Sequence, residues 1–247
     1  PELLVSLKNL GMDQIQQDPN GDLVIGSLST INCMLDNEII REKYPALCEA
    51  AVDFGSEQVR NRATIGGNLC NGSPAADMAL PLMALGARIT VAGVQGTREL
   101  DLNGFFVGPG KTALLPGDLL TEIRLPACPD ASAAVFLKHK RSAMDVAVVC
   151  VSAYLELQDV QTCSKINVVL GAVGPTPLSA GKATDILCRA PVTEDLIEQA
   201  ADLAVEEALP IDDVRASAWY RRKLVKVLTF RAILAAYDQA RHSFEDS

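Results

Sequence analysis

An α+β fold in two domains is what these 247 residues predict, and three observations carry that reading. Short apolar runs and helical periodicities alternate over the first 128 residues. The stretch PACPDASA at 126–133 is made of proline, small and acidic residues with no hydrophobic period, and reads as a linker. Beyond it, alternating segments come first and helical periodicities last, the pattern of a sheet covered by helices. The domains are therefore drawn at residues 1–128, a mixed sheet with helices, and 133–240, a three-stranded antiparallel sheet packed on a helical bundle.

Taken in order, LLVSL at 3–7 reads as a short strand, closed by a turn at Asn9, Leu10 and Gly11. The run DPNGD at 18–22 carries a hairpin-type turn signal, with LVIGSL at 23–28 as the strand that follows. Thr30 has the hydroxyl to cap a short helix through Leu35. Pro45 suits a first helical turn, where its missing N–H costs nothing, and opens a helix to about Phe54. Leu47, Ala50, Ala51 and Phe54 recur at helical spacing and mark its buried face. Residues 75–85 read as a helix stopped by Gly86, and 88–91, 98–102 and 122–125 as strands. After the linker, strands are expected at 135–140, 145–157 and 165–173, with Pro175 and Pro177 ending the sheet. Helices follow at 178–188, 193–208 and 216–240; Thr193, with Glu194, Asp195 and Glu198 behind it, is a good helix start.

The chemistry concentrates in QVRNRATIGGNLCNGSPAAD, residues 58–77. Thr64, Gly66, Gly67, Asn68, Asn71, Gly72, Ser73 and Pro74 argue against a helix interior, so a loop is expected here. Adjacent glycines let a ligand touch backbone N–H groups, and hydroxyl and amide side chains add donors, which suits a phosphate or pyrophosphate. Neither G-x-G-x-x-G nor G-x-x-x-x-G-K-S/T occurs, so this is no ordinary Rossmann turn and no P-loop. On spacing alone, a tight surface turn with two glycines reads equally well.

The same stretch resembles the second FAD-binding motif of the flavin subunit of molybdenum hydroxylases, the xanthine dehydrogenase and carbon monoxide dehydrogenase family. The similarity continues through LNGFFVGPGKTALLPGDLLTEIRLP at 102–126 and FLKHKRSAMDVAVV at 136–149, and covers nearly the whole chain. N-G-F-x-x-G-P-G-K and R-x-A-M-D look closest to the separate flavin subunit of bacterial xanthine dehydrogenases. The resemblance implies a PCMH-type FAD-binding domain followed by a domain like the carbon monoxide dehydrogenase flavoprotein C-terminal domain. It also implies that the Thr64 hydroxyl, the amides of Ile65, Gly66 and Gly67 and the Asn68 side chain reach the FAD diphosphate and ribityl chain. Asn71 and Asp77 would hold the far side of the cofactor, Asp77 suiting adenine or ribose hydroxyls and lying away from the phosphates it would repel; a helix-start cap is the competing role for Asp77.

Phe54, ten residues before Thr64, falls at a position near the flavin ring in some relatives, with core packing an equal reading. Leu119 and Leu120 lie where the family packs an apolar side chain on the isoalloxazine; elsewhere they would be ordinary core. Lys138 corresponds to a basic residue that reaches back to the flavin, where a cation favours the reduced form. A solvated strand lysine is the alternative, and Lys140 and Arg141 stand close enough to shift the register. The family also carries an earlier module with an A-G-G-T-D-type loop. The sequence opens at Pro1 and Glu2 and holds no such loop, so half of the cofactor cradle is missing from it: either it is a fragment, or the module sits elsewhere or has been removed.

By the same resemblance, a molybdopterin-binding large subunit oxidises substrate and 2Fe–2S clusters on a small subunit carry electrons to this FAD. NAD or another acceptor then takes them, with no side chain of this chain needed as acid or base. The rival readings are a scaffold or assembly subunit that holds flavin poorly, and a self-contained FAD oxidase, for which the second domain is too small and polar.

Composition narrows the classes further. A formal charge of −9 argues against nucleic-acid and anionic membrane surfaces. The seven cysteines are scattered without a C-x-x-C and the two histidines lie apart, so no metal centre within this chain is expected. Cys150, at an apolar position, reads as a core thiol of a reducing compartment, and no signal segment or long apolar span is seen. A soluble, cytoplasmic-type protein is expected. The basic run of Arg221, Arg222, Lys223, Lys226 and Arg231 on the last helix reads as solvated or subunit-facing, and residues 108–112 as a structural turn.

Overall fold

The computed structural model describes residues 3–245, which form two principal sheets separated and flanked by helices. Residues 3–7, expected as a strand, have no regular structure, and Leu3, Leu4 and Val5 are exposed. A strand needs a partner edge, and none lies beside this run among the described residues. The sheet begins instead at β1 (Ile15–Gln17), which pairs antiparallel with β2 (Leu23–Gly26) across the expected turn. Asp18 closes that turn by accepting the amides of Asn20 at 2.8 Å and Asp22 at 3.1 Å, while Gly21 takes φ 88°.

Three short helices, α1 (Ile31–Asp36), α2 (Glu38–Lys43) and α3 (Pro45–Val52), follow, then a single turn, α4 (Glu57–Arg60). Thr30, Asn37 and Ser56 cap α1, α2 and α4 through their side-chain oxygens, and Pro45 opens α3 as expected. Helices α2 and α4 escape a periodicity reading because one or two turns show no period. Next come α5 (Ile65–Cys70), α6 (Ala79–Ala84), the hairpin of β3 (Arg88–Gly93) and β4 (Gly96–Asp101), and a small hairpin of β5 (Phe106–Gly108) and β6 (Lys111–Thr112). Strand β7 (Leu119–Leu125) returns to the middle of the first sheet, whose order is β1-β2-β7-β3-β4. Every ladder in it is antiparallel, so the strands expected as a mixed sheet lack a parallel pair.

The second sheet is built from β8 (Ser132–His139), β9 (Val149–Leu157), β10 (Cys163–Gly171) and β11 (Leu178–Ser179), in the order β11-β10-β9-β8. It has four strands where three were expected. Pro175 and Pro177 reverse the chain rather than end the sheet, so Leu178 and Ser179 pair back onto Leu170 and Val169. Helices α7 (Gly181–Leu187), α8 (Glu194–Glu207) and α9 (Ala218–Glu245) cover its outer face.

Strand periodicity decides what meets across the two sheets. Along β8 and β9, Ala134, Phe136, Cys150 and Tyr154 point into a core shared with α1, α3, α5, α6 and the first sheet. Val135, Val149, Val151, Ala153 and Leu155 point the other way, under α7, α8 and α9. Polar groups sew the join: Glu49 accepts the Phe136 amide at 2.7 Å, and the Asn167 amide group donates to the Ala84 carbonyl at 2.7 Å.

Arg221 departs from the solvated run expected on α9. It is buried, donating to the carbonyls of Val148 at 2.6 Å and Ala172 at 2.8 Å and to Asp213 at 2.7 Å. Arg222, Lys223 and Arg231 are exposed. Among the described residues, no helix is long and apolar enough to cross a membrane.

Candidate functional site

The glycine-rich stretch is not the open loop expected from its composition. It is the six-residue helix α5, capped by the Thr64 hydroxyl, which accepts the Gly67 amide at 3.1 Å. The Ile65 amide donates to the Ser29 carbonyl at 3.0 Å and the Gly66 amide to the Ser27 carbonyl at 2.8 Å. The three amides expected to face a diphosphate are therefore engaged within the chain, and the Ile65 side chain is buried in the core. Gly66 explains the arrangement. A Cβ there would lie 2.7 Å from both the Ser27 carbonyl oxygen and Cβ, so only glycine lets α5 rest on the segment after β2. A Cβ on Gly67 would meet only the Thr64 hydroxyl, at 3.0 Å, which leaves this backbone open to a ligand.

Facing α5 across a cleft of about 350 Å³ are Leu114, Asp118, Leu119 and Leu120, with Thr64, Gly66 and Gly67 on the near wall. Thr64 and Leu28 also line an adjoining space of about 420 Å³ that includes Thr30, Asn61 and Arg62. Five of the expected site residues thus share one cleft.

A second group gathers at the join between the sheets. Lys138 falls on the same face of β8 as Ala134 and Phe136, so it points at the first half of the chain, not at solvent. Its ammonium donates to Asp77 Oδ2 at 2.8 Å and to the Asp53 carbonyl at 3.0 Å. Lys140 pairs with the Asp53 carboxylate, and Arg141 with Asp145 and the Val214 carbonyl, which assigns each of the three cations its own partner. Asp77 is not a helix cap: the N-cap of α6 is Met78, and no side chain caps it. Burial pushes the Asp77 carboxyl above the usual range, an effect that the Lys138 ammonium only partly offsets.

Phe54, half-buried against the core, sits in a turn whose carbonyls accept from the Arg60 guanidinium, at 3.3 Å for Phe54 itself. Asn71 closes α5 and is exposed. Two residues that sequence reasoning passed over belong with these groups. Asp53, beside Phe54, holds both lysines, and Asp118, in the turn L-P-G-D, lines the cleft; the turn was the available signal.

Two side-chain oxygens of expected site residues are buried without a partner, Asn68 Oδ1 on α5 and Asp77 Oδ1 at the join. A buried oxygen without a donor costs about 1–3 kcal/mol, so such atoms mark places where an incoming N–H or O–H would be welcome. A cofactor with an imide N–H and a chain of hydroxyls on a flat apolar frame fits this set, with the leucines for the frame and Gly67 for close approach.

Comparison with known proteins names that cofactor. Residues 1–128 match the family described as the FAD binding domain in molybdopterin dehydrogenase, and residues 134–236 match the CO dehydrogenase flavoprotein C-terminal domain. The chain is 31% identical over 236 residues to the xanthine dehydrogenase FAD-binding subunit of Escherichia coli O157:H7, covering 94% of this chain and 80% of that one. It is 31% identical over 242 residues to the carbon monoxide dehydrogenase medium chain of Afipia carboxidovorans, covering 98% and 84%. Its fold superimposes with a TM-score of 0.89, at 30% identity over 92% of this chain and 79% of the other, on carbon monoxide dehydrogenase from Hydrogenophaga pseudoflava lacking the Mo-pyranopterin moiety. The chain belongs to the FAD-binding medium subunits of the molybdenum hydroxylases, the flavoprotein components of oxidoreductases of the xanthine and carbon monoxide dehydrogenase type.

Proposed function

We propose that FAD lies in the cleft between α5 and the start of β7, with its flavin ring toward Asp77 and Lys138. In this reading the chain relays electrons from 2Fe–2S clusters of a small subunit to NAD or another acceptor, within a complex whose molybdopterin-binding large subunit oxidises the substrate. The observation that carries it is Asp77 Oδ1, buried and unpartnered while its Oδ2 holds a buried ammonium, with Asn68 Oδ1 a second buried and unpartnered acceptor. FAD supplies the interconversion of one-electron and two-electron transfer when bound. The chain's own residues bind and orient. Asn68 and Asp77 would each offer an oxygen to a donor of the cofactor, Leu119 and Leu120 would keep water from the cleft, and Lys138 would hold positive charge where reduction places negative charge. A cleft of about 530 Å³, walled by Ser73, Pro74 and Ala75 on one side and Ala147, Ala172 and Leu209 on the other, offers the acceptor an approach two residues from Asp77.

The engaged amides of Ile65, Gly66 and Gly67 favour one competing reading, a scaffold subunit that holds flavin poorly. Flavin content and acceptor reduction separate the two. The relay reading expects stoichiometric FAD in the assembled complex and NAD reduction that depends on it. A complex that turns over substrate with no flavin on this chain supports the scaffold.

A further inference from the structure

The cleft wall opposite α5 is made by a segment with little structure of its own. Residues 113–118 run between β6 and β7 with one tight turn, Pro116 and Gly117 at its centre, Gly117 at φ 89° and the Asp118 amide donating to the Leu115 carbonyl at 2.9 Å. Yet this segment brings Leu114, Leu119 and Leu120 to the cleft.

Asp118 is what fixes it. Oδ1 accepts from Arg98 Nη1 at 3.1 Å, and Oδ2 accepts from Arg98 Nη2 at 2.5 Å and from the Leu115 amide at 2.6 Å. The two parallel bonds form the planar fork that guanidinium and carboxylate make best. The Asp118 side chain is 5% exposed and that of Arg98 37%, so a half-open arginine on β4 reaches in to a sealed carboxylate. Arg98 also holds the Asp118 carboxyl below its usual range.

Two further features converge on the same point. A Cβ on Gly93, at the end of β3, would lie 2.3 Å from Asp118 Oδ1, so glycine there leaves the space the carboxylate fills. Strand β7 also slips register against β3 here: Thr90 faces Glu122 and Val91 faces Leu120, leaving Thr121 as a bulge. The Thr121 hydroxyl donates to the Thr90 carbonyl at 3.1 Å, and its own carbonyl accepts the Ser27 amide at 2.9 Å, beside α5. Bulge and fork together set the direction in which Leu119 and Leu120 leave the strand.

We propose that Arg98, acting through Asp118, is a positioning residue for the cofactor. The fork locks the 114–118 wall and so sets the apolar face that Leu119 and Leu120 present to the flavin, and the access of water to its ring. The inference rests on the FAD reading above.

The test uses the full chain loaded with FAD, as wild type, Arg98→Leu, Arg98→Lys and Gly93→Ala. Gly93→Ala keeps both charges and displaces the carboxylate, so it should reproduce the effect of Arg98→Leu. Both should raise the FAD Kd roughly tenfold, a change of about 1.4 kcal/mol. Both should also blur the resolved shoulder of the flavin's visible band as water reaches the ring, a change that lost stability alone would not produce in the folded, flavin-bound chain. Arg98→Lys should recover part of the affinity and spectrum. Should Arg98→Leu or Gly93→Ala fail to fold, Arg98→Lys carries the test alone, through an intermediate Kd and spectrum. Wild type that takes up FAD while every folded variant matches it in Kd and spectrum overturns the positioning role alone. Wild type that takes up no FAD even in the assembled complex overturns the FAD reading along with it.

Discussion

Lys138 and Asp77, on opposite sides of the join between the two sheets, meet at 2.8 Å with side-chain exposures of 1% and 11%. A pair this deep binds the two halves together as well as standing at the proposed flavin edge. Removing one partner of a buried pair leaves an uncompensated charge and costs about 3–5 kcal/mol. Lys138→Met should therefore lower the unfolding free energy of the flavin-free chain by that order, and the flavin that still binds should show a lowered reduction potential. Chemical denaturation and potentiometry check the two halves of this prediction. A chain with unchanged stability would mean that the pair is open to water in solution.

Gly66 and Gly67 are adjacent, and the structure separates their roles. Gly66→Ala places a Cβ 2.7 Å from the Ser27 backbone and should destabilise the fold by about 1–3 kcal/mol. Gly67→Val has only the Thr64 hydroxyl in its way, at 3.0 Å. It should leave the fold nearly intact and reduce bound FAD. Thermal melts set beside flavin content of the two variants check this, and equal effects on both readouts would contradict it.

Asp213 beside Arg221 gives a pH prediction. Burial opposes its ionisation, but the amides of Arg215 and Ala216 and the Arg221 guanidinium prevail and hold its carboxyl at about 2, against an ordinary 3.8. A depressed folded value means that the unfolded chain binds the proton first. The contribution of Asp213 is then fully present above about pH 4 and is lost as pH falls toward about 2. Across that window the stability of wild type should fall more steeply than that of Asp213→Asn. Parallel curves in acid denaturation would contradict the pairing.

Much of the fold was legible because its signals are local. The turn at Asp18 closes with its own amides, Thr30 and Thr193 cap their helices, and Pro45 opens α3. The strand expected over 145–157 is present as β9, although it is buried on both faces and not on one as alternation implies. The errors at the glycine stretch and at Arg221 share one cause: a partner distant in sequence. Gly66 tolerates a helix because Ser27 lies against it, and Arg221 is buried because Val148, Ala172 and Asp213 receive it. The residues of the candidate site came from the family resemblance. Lys138 and Asp77 stand 61 positions apart, and nothing in either neighbourhood signals the other.

The most direct measurement is FAD titration of wild type beside Asn68→Leu, with the stability of both flavin-free chains in parallel. The Asn68 oxygen is buried without a partner until a ligand donates to it. Removing it should leave the flavin-free chain as stable as wild type or slightly more so, while weakening FAD binding roughly tenfold or more. Opposite signs in the two readouts are what a site built for a bound cofactor requires. Wild-type FAD affinity in Asn68→Leu would contradict the account.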